Sequence, residues 1–160
     1  MKPIIVLMLF ILTGCGATGP IYQEPPPPPA GYATLIIYRF SNGYGGAYPI
    51  DISINASEKA ASVDEQGYTV IWVIADGQQH TIRDGPTNKS STDTVSIKPK
   101  PGETIFVKYI ADVPSGSLSA GGIASIFRRE ANPFRVVAPD QGQKEILEYK
   151  LQPAKVQAIQ

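Results

Sequence analysis

The sequence predicts an all-β fold, a β-sandwich of about seven short strands, on three observations. Apolar and polar residues alternate with a period of two in several short stretches, as in strands with one buried face. Turn signals built from Gly, Pro, Asn and Asp interrupt them every ~8–12 residues, which argues for a sandwich or a barrel. Hydrophobic residues make up 42% of the chain, enough for an ordinary core, and a single cysteine, Cys15, leaves no intrachain disulfide framework to replace one.

The folded part is expected to open near Tyr32. Ala33 to Phe40 is rich in Ile, Tyr and Leu and reads as a strand. Ser41 to Tyr48 holds three glycines and two tyrosines and reads as a loop. Ile50, Ile52 and Ile54 then alternate with Asp51, Ser53 and Asn55, the clearest half-buried strand in the chain. A weaker strand is expected within Lys59 to Val63. From Gly67 to Ala75 apolar residues fall on both faces: Tyr68, Val70, Trp72 and Ile74 on one, and Thr69, Ile71, Val73 and Ala75 on the other. That pattern predicts a central strand covered on both faces. A buried helix is the competing reading, and the β-branched density with flanking Gly67 and Gly77 favours the strand.

Asp76-Gly77 is a hairpin signal, since a type I′ turn needs two positive φ angles, and Gln78 to Arg83 is the expected returning strand. Asp84 to Ser91 is a loop through Gly85-Pro86 and Asn88. Thr92 to Lys98 alternates and is stopped by Pro99 and Pro101-Gly102. Glu103 to Ala111 is a strand with Ile105, Val107 and Tyr109 towards the core and Lys108 outward. Pro114 to Glu130, broken by Gly116, Gly121 and Gly122, is a long loop or a loop with a short helix near Ile123 to Arg129. Phe134 to Ala138 is a strand. Asp140 is placed to N-cap a short C-terminal helix over Gln143 to Tyr149, with a final strand to Leu151 as the alternative. Residues 153–160 are expected to fray.

The chain has 14 basic and 14 acidic residues. Without a net field or a basic stripe it lacks the electrostatic footprint of a nucleic-acid reader. The first residues carry a different message. Lys2 precedes an apolar run from Pro3 to Leu12, which falls short of the ~20 residues of a spanning helix and reads as a secretory leader. The run ends in Leu12-Thr13-Gly14-Cys15. That tetrad resembles the lipobox of bacterial lipoproteins, in which the chain is cut before the cysteine and the cysteine is then acylated. The resemblance implies residues 1–14 as leader, Cys15 as lipidation site, and a membrane as the first partner. A lipidated Cys15 leaves no thiol for metal binding or nucleophilic catalysis. Gly16 differs from the aspartate that retains such proteins at the inner membrane, so the implied location is the periplasmic face of the outer membrane.

Residues 15–32 follow as a linker. Pro20 and the run Pro25 to Pro29 favour an extended polyproline II strut, read as a semi-rigid spacer. A docking motif for an aromatic groove is the other reading. The sandwich is assigned to residues 33–152.

Four landmarks within the sandwich resemble the small bacterial lipoproteins grouped as domain of unknown function 2846. These are the strand Ala33-Thr34-Leu35-Ile36-Ile37-Tyr38-Arg39; Ile52-Ser53-Ile54-Asn55; Gly67-Tyr68 leading to Asp76-Gly77 and His80-Thr81-Ile82; and Pro101-Gly102-Glu103-Thr104-Ile105-Phe106-Val107-Lys108. The chain departs from the family pattern at Ala56, where a turn glycine is usual, and in the turn before His80, which is one residue longer. The resemblance implies a transthyretin- or immunoglobulin-type sandwich and brings no established activity and no catalytic residues.

Candidate chemistry is sparse. His80 is the only histidine, whereas a metal site normally gathers several ligands, so neither a metal nor a cofactor is expected. A triad through His80 lacks a Gly-x-Ser-x-Gly elbow. Asp64-Glu65 reads as a polar turn. Recognition has two better candidates. Tyr44 and Tyr48 on a glycine-rich loop offer flat apolar area with a hydroxyl handle, against the plain alternative that they fold back on the sandwich edge. Phe127, Arg128 and Arg129 close an apolar stretch that suits a lipid surface or a partner's groove, against the alternative of a flap over the open end. The function expected is therefore non-enzymatic: a lipoprotein that binds another envelope protein or a cell-wall component. The alternative is a cell-wall carbohydrate-binding or hydrolase-inhibiting module.

Overall fold

A computed structural model describes residues 17–40, 48–55, 59–85, 94–110, 132–154 and 158–159. Among these residues ten strands form two sheets. The first sheet has the order β10-β4-β1-β7-β8. Its strands are β1 (Tyr32–Phe40), β4 (Gly67–Ile74), β7 (Thr104–Ile110), β8 (Phe134–Val137) and β10 (Ala158–Ile159). A further strand, β9 (Lys150–Leu151), also pairs with β4. The second sheet runs β3 (Ala61–Val63), β2 (Ile50–Ile54), β5 (His80–Asp84) and β6 (Thr94–Ile97). The all-β sandwich follows the sequence expectation, and so do the strand positions of β1, β2, β7 and β8.

The inner core lies between the sheets and is mostly aliphatic: Leu35 and Ile37 from β1, Ile52 and Ile54 from β2, Ile71 and Val73 from β4, Ile82 from β5, Ile105 and Val107 from β7. Each such side chain contributes about 1.5–3 kcal/mol by leaving water. A second, smaller core lies on the outer side of the first sheet. It joins Ile36, Tyr38, Tyr68 and Phe106 to Ile146 and Tyr149. Strands β1, β4 and β7 all feed both, and β1, with even residues outward and odd residues inward, is buried on both faces from Ala33 to Arg39. The sequence expectation assigned a strand covered on both faces to Gly67–Ala75. Here β4 buries Ile71 and Val73 but leaves Val70, Trp72 and Ile74 half-exposed, because only its first residues are roofed on the outer side.

The expected hairpin at Asp76-Gly77 is corrected. Strand β4 pairs with β1, β9 and β10, whereas β5 pairs with β2 and β6 in the other sheet. Gly77 has φ +80° but Asp76 is not in the positive region, so a type I′ turn does not form. The Asp76 carboxylate instead accepts the Gln78 N–H at 2.8 Å, and the chain crosses from one sheet to the other.

The roof over the outer core is built by segments expected to be peripheral. Helix α1 (Pro139–Glu145) starts earlier than predicted. Ala138 stands at its N-cap without a side-chain bond, Pro139 presets the first turn, and Asp140 lies in that turn instead of capping it. A 3-10 turn, Ile146–Glu148, continues it. Gly142 lies against the Phe106 ring so closely that a Cβ would collide with it. The expected fraying does not hold for Ala158–Ile159, which pair with β4, with Ile159 buried in the inner core. Its apolar side chain gains more from that core than the last residues lose in entropy.

The linker is corrected in the same way. The Tyr22 N–H donates to the Tyr149 carbonyl at 2.9 Å, and the Leu151 N–H donates to the Pro20 carbonyl at 2.8 Å. Ile21 thus bridges Lys150 in antiparallel fashion. The Tyr22 ring meets Tyr68 edge to face at 5.3 Å. Further along, Gly19, Tyr22, Pro25 and Pro28 are half-buried while the residues between them are exposed, which matches the threefold repeat of polyproline II laid on a surface. The segment is a strap on the sheet. Proline rings carry apolar area of their own; the Tyr22 N–H supplies the donor that a proline lacks, and the Pro20 carbonyl serves as acceptor.

Candidate functional site

The end of the sandwich where the strap begins also holds Tyr48, one of the sequence-predicted recognition residues. Register fixes this end. Tyr38 pairs with Tyr68, so Gly67 is level with Arg39. Arg39 and Phe40 pair with Tyr109 and Ile110, and Tyr109 pairs with Phe134. In the second sheet the same end holds the start of β2, the end of β5 and the start of β6. Side chains tie the two sheets there. The Tyr109 hydroxyl donates to the Asp84 carboxylate at 3.3 Å, the Arg39 guanidinium donates to the Tyr48 carbonyl at 2.6 Å, and the Asn132 amide donates to the Thr94 carbonyl.

The residues bordering three stretches, 41–47, 86–93 and 111–131, therefore meet at one end. Tyr48 is among them, with its side chain 79% exposed and not folded back on the sandwich edge. Tyr44, Phe127, Arg128 and Arg129 lie outside the described residues, as do Leu12, Thr13, Gly14 and Cys15. Ala17 is the described residue nearest to Cys15. It is buried and packs where a side chain on Gly67 would meet its Cβ at 3.3 Å. Beside it the turn Asp64–Gln66 is held by Gln152. That side chain accepts from the Asp64 N–H at 2.9 Å and donates to the Asp64 carboxylate at 2.6 Å.

Behind the strap runs an apolar groove of about 480 Å³, lined by Pro20, Ile21, Pro26, Val70, Trp72 and Leu151 among others. Sequence reading assigned Trp72 to a buried strand face and missed this groove, because its far wall is the strap itself. Tyr22, the aromatic residue just before the proline run, was the available signal.

Beneath α1 lies a polar cluster that the sequence did not reveal. Glu145 Oε2 accepts from the Tyr38 hydroxyl and from Lys108 Nζ, each at 2.8 Å, and Glu145 Oε1 accepts from Gln141 at 2.7 Å. Lys108 points outward as expected, but under the helix, with its ammonium 4.3 Å from the centre of the Phe40 ring. Burial alone would raise the Glu145 pKa. The hydrogen bonds from Lys108, Gln141 and Tyr38, with the Lys108 charge, outweigh it and hold the carboxyl below its ordinary value. Burial and then the neighbouring carboxylates, Glu145 first, push the Tyr149 hydroxyl up to about 12. The cluster clamps α1 to β7.

His80 lies at the opposite end and is buried. Its Nδ1 is 3.1 Å from the Asn55 amide nitrogen, and the Asn55 Oδ1 accepts the Thr81 N–H at 3.0 Å. Its Nε2 is 3.8 Å from Asp76, beyond hydrogen-bond reach, and has no hydrogen-bond partner among the described residues. No group of three or more His, Cys, Asp and Glu residues able to hold a metal occurs among the described residues. No helix among them is long and apolar enough to cross a membrane.

Comparison with protein-family models, with curated proteins and with solved structures finds no match.

Proposed function

We propose that this chain is a non-enzymatic lipoprotein, held at the periplasmic face of the outer membrane by acyl chains on Cys15, whose sandwich binds another envelope component. The observation that carries the reading is Leu12-Thr13-Gly14-Cys15 at the end of a short apolar run. Acyl chains contribute about 0.8 kcal/mol per buried CH₂, so more than one chain gives lasting attachment. Membership of the family grouped as domain of unknown function 2846, on the four landmarks quoted, belongs to the same proposal. Binding is supported by the exposed ring of Tyr48 at the end where the borders of the Tyr44 and Phe127–Arg129 segments meet.

Growth in radioactive palmitate tests the anchor. The wild-type chain takes up label and Cys15→Ala does not; equal labelling of the two defeats the reading. A photocrosslinker at Tyr48 in intact cells then identifies the envelope component within reach.

The exposed tyrosine also favours the second reading, a cell-wall carbohydrate-binding or hydrolase-inhibiting module, because a flat ring with a hydroxyl suits a sugar face. Retention on purified peptidoglycan, lost in Tyr44→Ala/Tyr48→Ala, supports it. Retention that the double substitution leaves unchanged removes it.

A further inference from the structure

The position of the strap fixes which end of the sandwich faces the bilayer. We infer that the end bearing Ala17, Phe40, Tyr48 and Leu147 lies on the membrane surface itself, so that the first thing this end meets is lipid. The inference rests on the lipid-anchor reading and gives its partner a chemistry.

Three observations carry it. The first is covalent reach. Cys15 is two residues from Ala17, and extended chain covers at most ~3.6 Å per residue, so the acylated sulfur's own residue stays within about 7 Å of Ala17. Ala17 is buried beside Gly67, level with Arg39 near the end of β1. A free spacer from Cys15 to Tyr32 would have let the body stand off and turn. The pairing of Pro20 and Tyr22 with Leu151 and Tyr149 removes that freedom within five residues of the Ala17 end.

The second observation is the placement of exposed apolar side chains. Among the described residues the large exposed ones are Ile21, Phe40, Tyr48, Val136 and Leu147. Four of the five lie towards this end. Ile21 is level with Gly67 through Lys150. Phe40 ends β1 and Tyr48 precedes β2. Leu147 follows Glu145, which reaches Lys108 at the level of Tyr38. Val136, level with Ile37 on the edge strand β8, is the exception. Scattered singly these side chains would be ordinary surface. Gathered around the root of a lipid tether, Phe, Tyr, Leu and Ile are residues that settle at the boundary between headgroups and acyl chains.

The third is charge. Among the described residues, Glu65 and Glu148 lie at the same end as Lys150 and Arg135, so these charges cancel. The contact is then held by the tether and apolar area and is insensitive to salt. The opposite end, with Asp76–Gln79 and Lys100–Gly102 exposed, stands away by the length of β1, a nine-residue strand, or about 26 Å.

The test uses the full lipidated chain in phosphatidylcholine vesicles. Because Cys15 is acylated, an added cysteine is the only thiol and takes a fluorescent label alone. Labels go at Tyr48→Cys and Leu147→Cys on one end, and at Gln78→Cys and Lys100→Cys on the other; all four positions are exposed, and thermal melts check that each variant folds. Lipid carrying a headgroup nitroxide should quench the first pair several-fold more than the second, with no change between low and high salt. Equal quenching at both ends, or stronger quenching at Gln78 and Lys100, overturns the inference while leaving the anchor intact. Co-flotation of the chain with the vesicles is read first. A chain that stays in the soluble fraction removes the anchor reading and this inference with it.

Discussion

The two cores of this molecule sit on opposite faces of one strand and are built by different means. The inner core is aliphatic and sealed by two sheets, with Leu35 and Ile37 meeting Ile52, Ile54 and Ile82. The outer core is aromatic and polar, with Tyr38, Tyr68 and Tyr149 closed over by a helix, a 3-10 turn and a proline strap. The inner core makes the sandwich. The outer core decides where the N-terminal segment is held, and through it how the proposed anchor would meet the body. A fold of this size can therefore keep its stability in one layer and its orientation in another.

The contrast can be broken from the inside first. Ile37→Ala removes a fully buried side chain from the inner core and should cost about 2–5 kcal/mol, a large part of a small domain's stability. Urea melts should show the whole sandwich shifting as one transition. A loss under 1 kcal/mol would mean that the sheets close differently.

Loosening the outer layer should cost less and stay local. Glu145→Gln keeps the shape but removes the charge that pairs with Lys108, whose side chain is only 13% exposed, against 26% for Glu145. Partial exposure puts the loss in the lower part of the range for charge-assisted hydrogen bonds, roughly 1–2 kcal/mol. Its pH signature is specific. The folded-state pKa of Glu145 lies below its ordinary value, so its contribution is fully present above the unfolded carboxyl pKa of about 4.3 and is lost as pH falls through the lower folded value. The wild type should lose stability on that acid limb and Glu145→Gln should lose less. Parallel acid limbs would show that Glu145 does not hold the helix.

Tyr22→Ala is the mildest change to global stability, roughly 1 kcal/mol for an edge-to-face pair and part of its area. It should nevertheless free the strap, raising proteolytic cleavage between residues 18 and 31 while the melting temperature moves by only a few degrees. A melting temperature that falls as far as in Ile37→Ala would make the strap part of the inner fold.

How much of this was legible in the sequence follows the same division. Alternation announced β2 and β7 because each has one face on the inner core, and the apolar run of β1 announced a buried strand. The outer layer was misread. Pro25 to Pro29 has the composition of a spacer, and nothing local shows that Tyr22 will pair with Tyr149 at the other end of the chain. Asp76-Gly77 gave a local hairpin signal, but β4 had already been taken by β1 on one side and by the C-terminal strands on the other, pairings that only the tertiary structure reveals. Of the candidate residues, Tyr48 stands exposed, which is one of the two outcomes that its glycine-rich surroundings left open. Ala17 and Gly67 carried no signal beyond being small, which is why they pack so closely.

The claim on which the rest depends is that the strap belongs to the folded body. Hydrogen exchange of the Tyr22 amide tests it most directly, because that N–H has the Tyr149 carbonyl as its partner. Tyr22 should exchange as slowly as Leu151, its neighbour in the same bridge, and both should speed up together in Tyr22→Ala. Exchange of the Tyr22 amide at the rate of an unstructured peptide, with β1 still protected, would contradict the account.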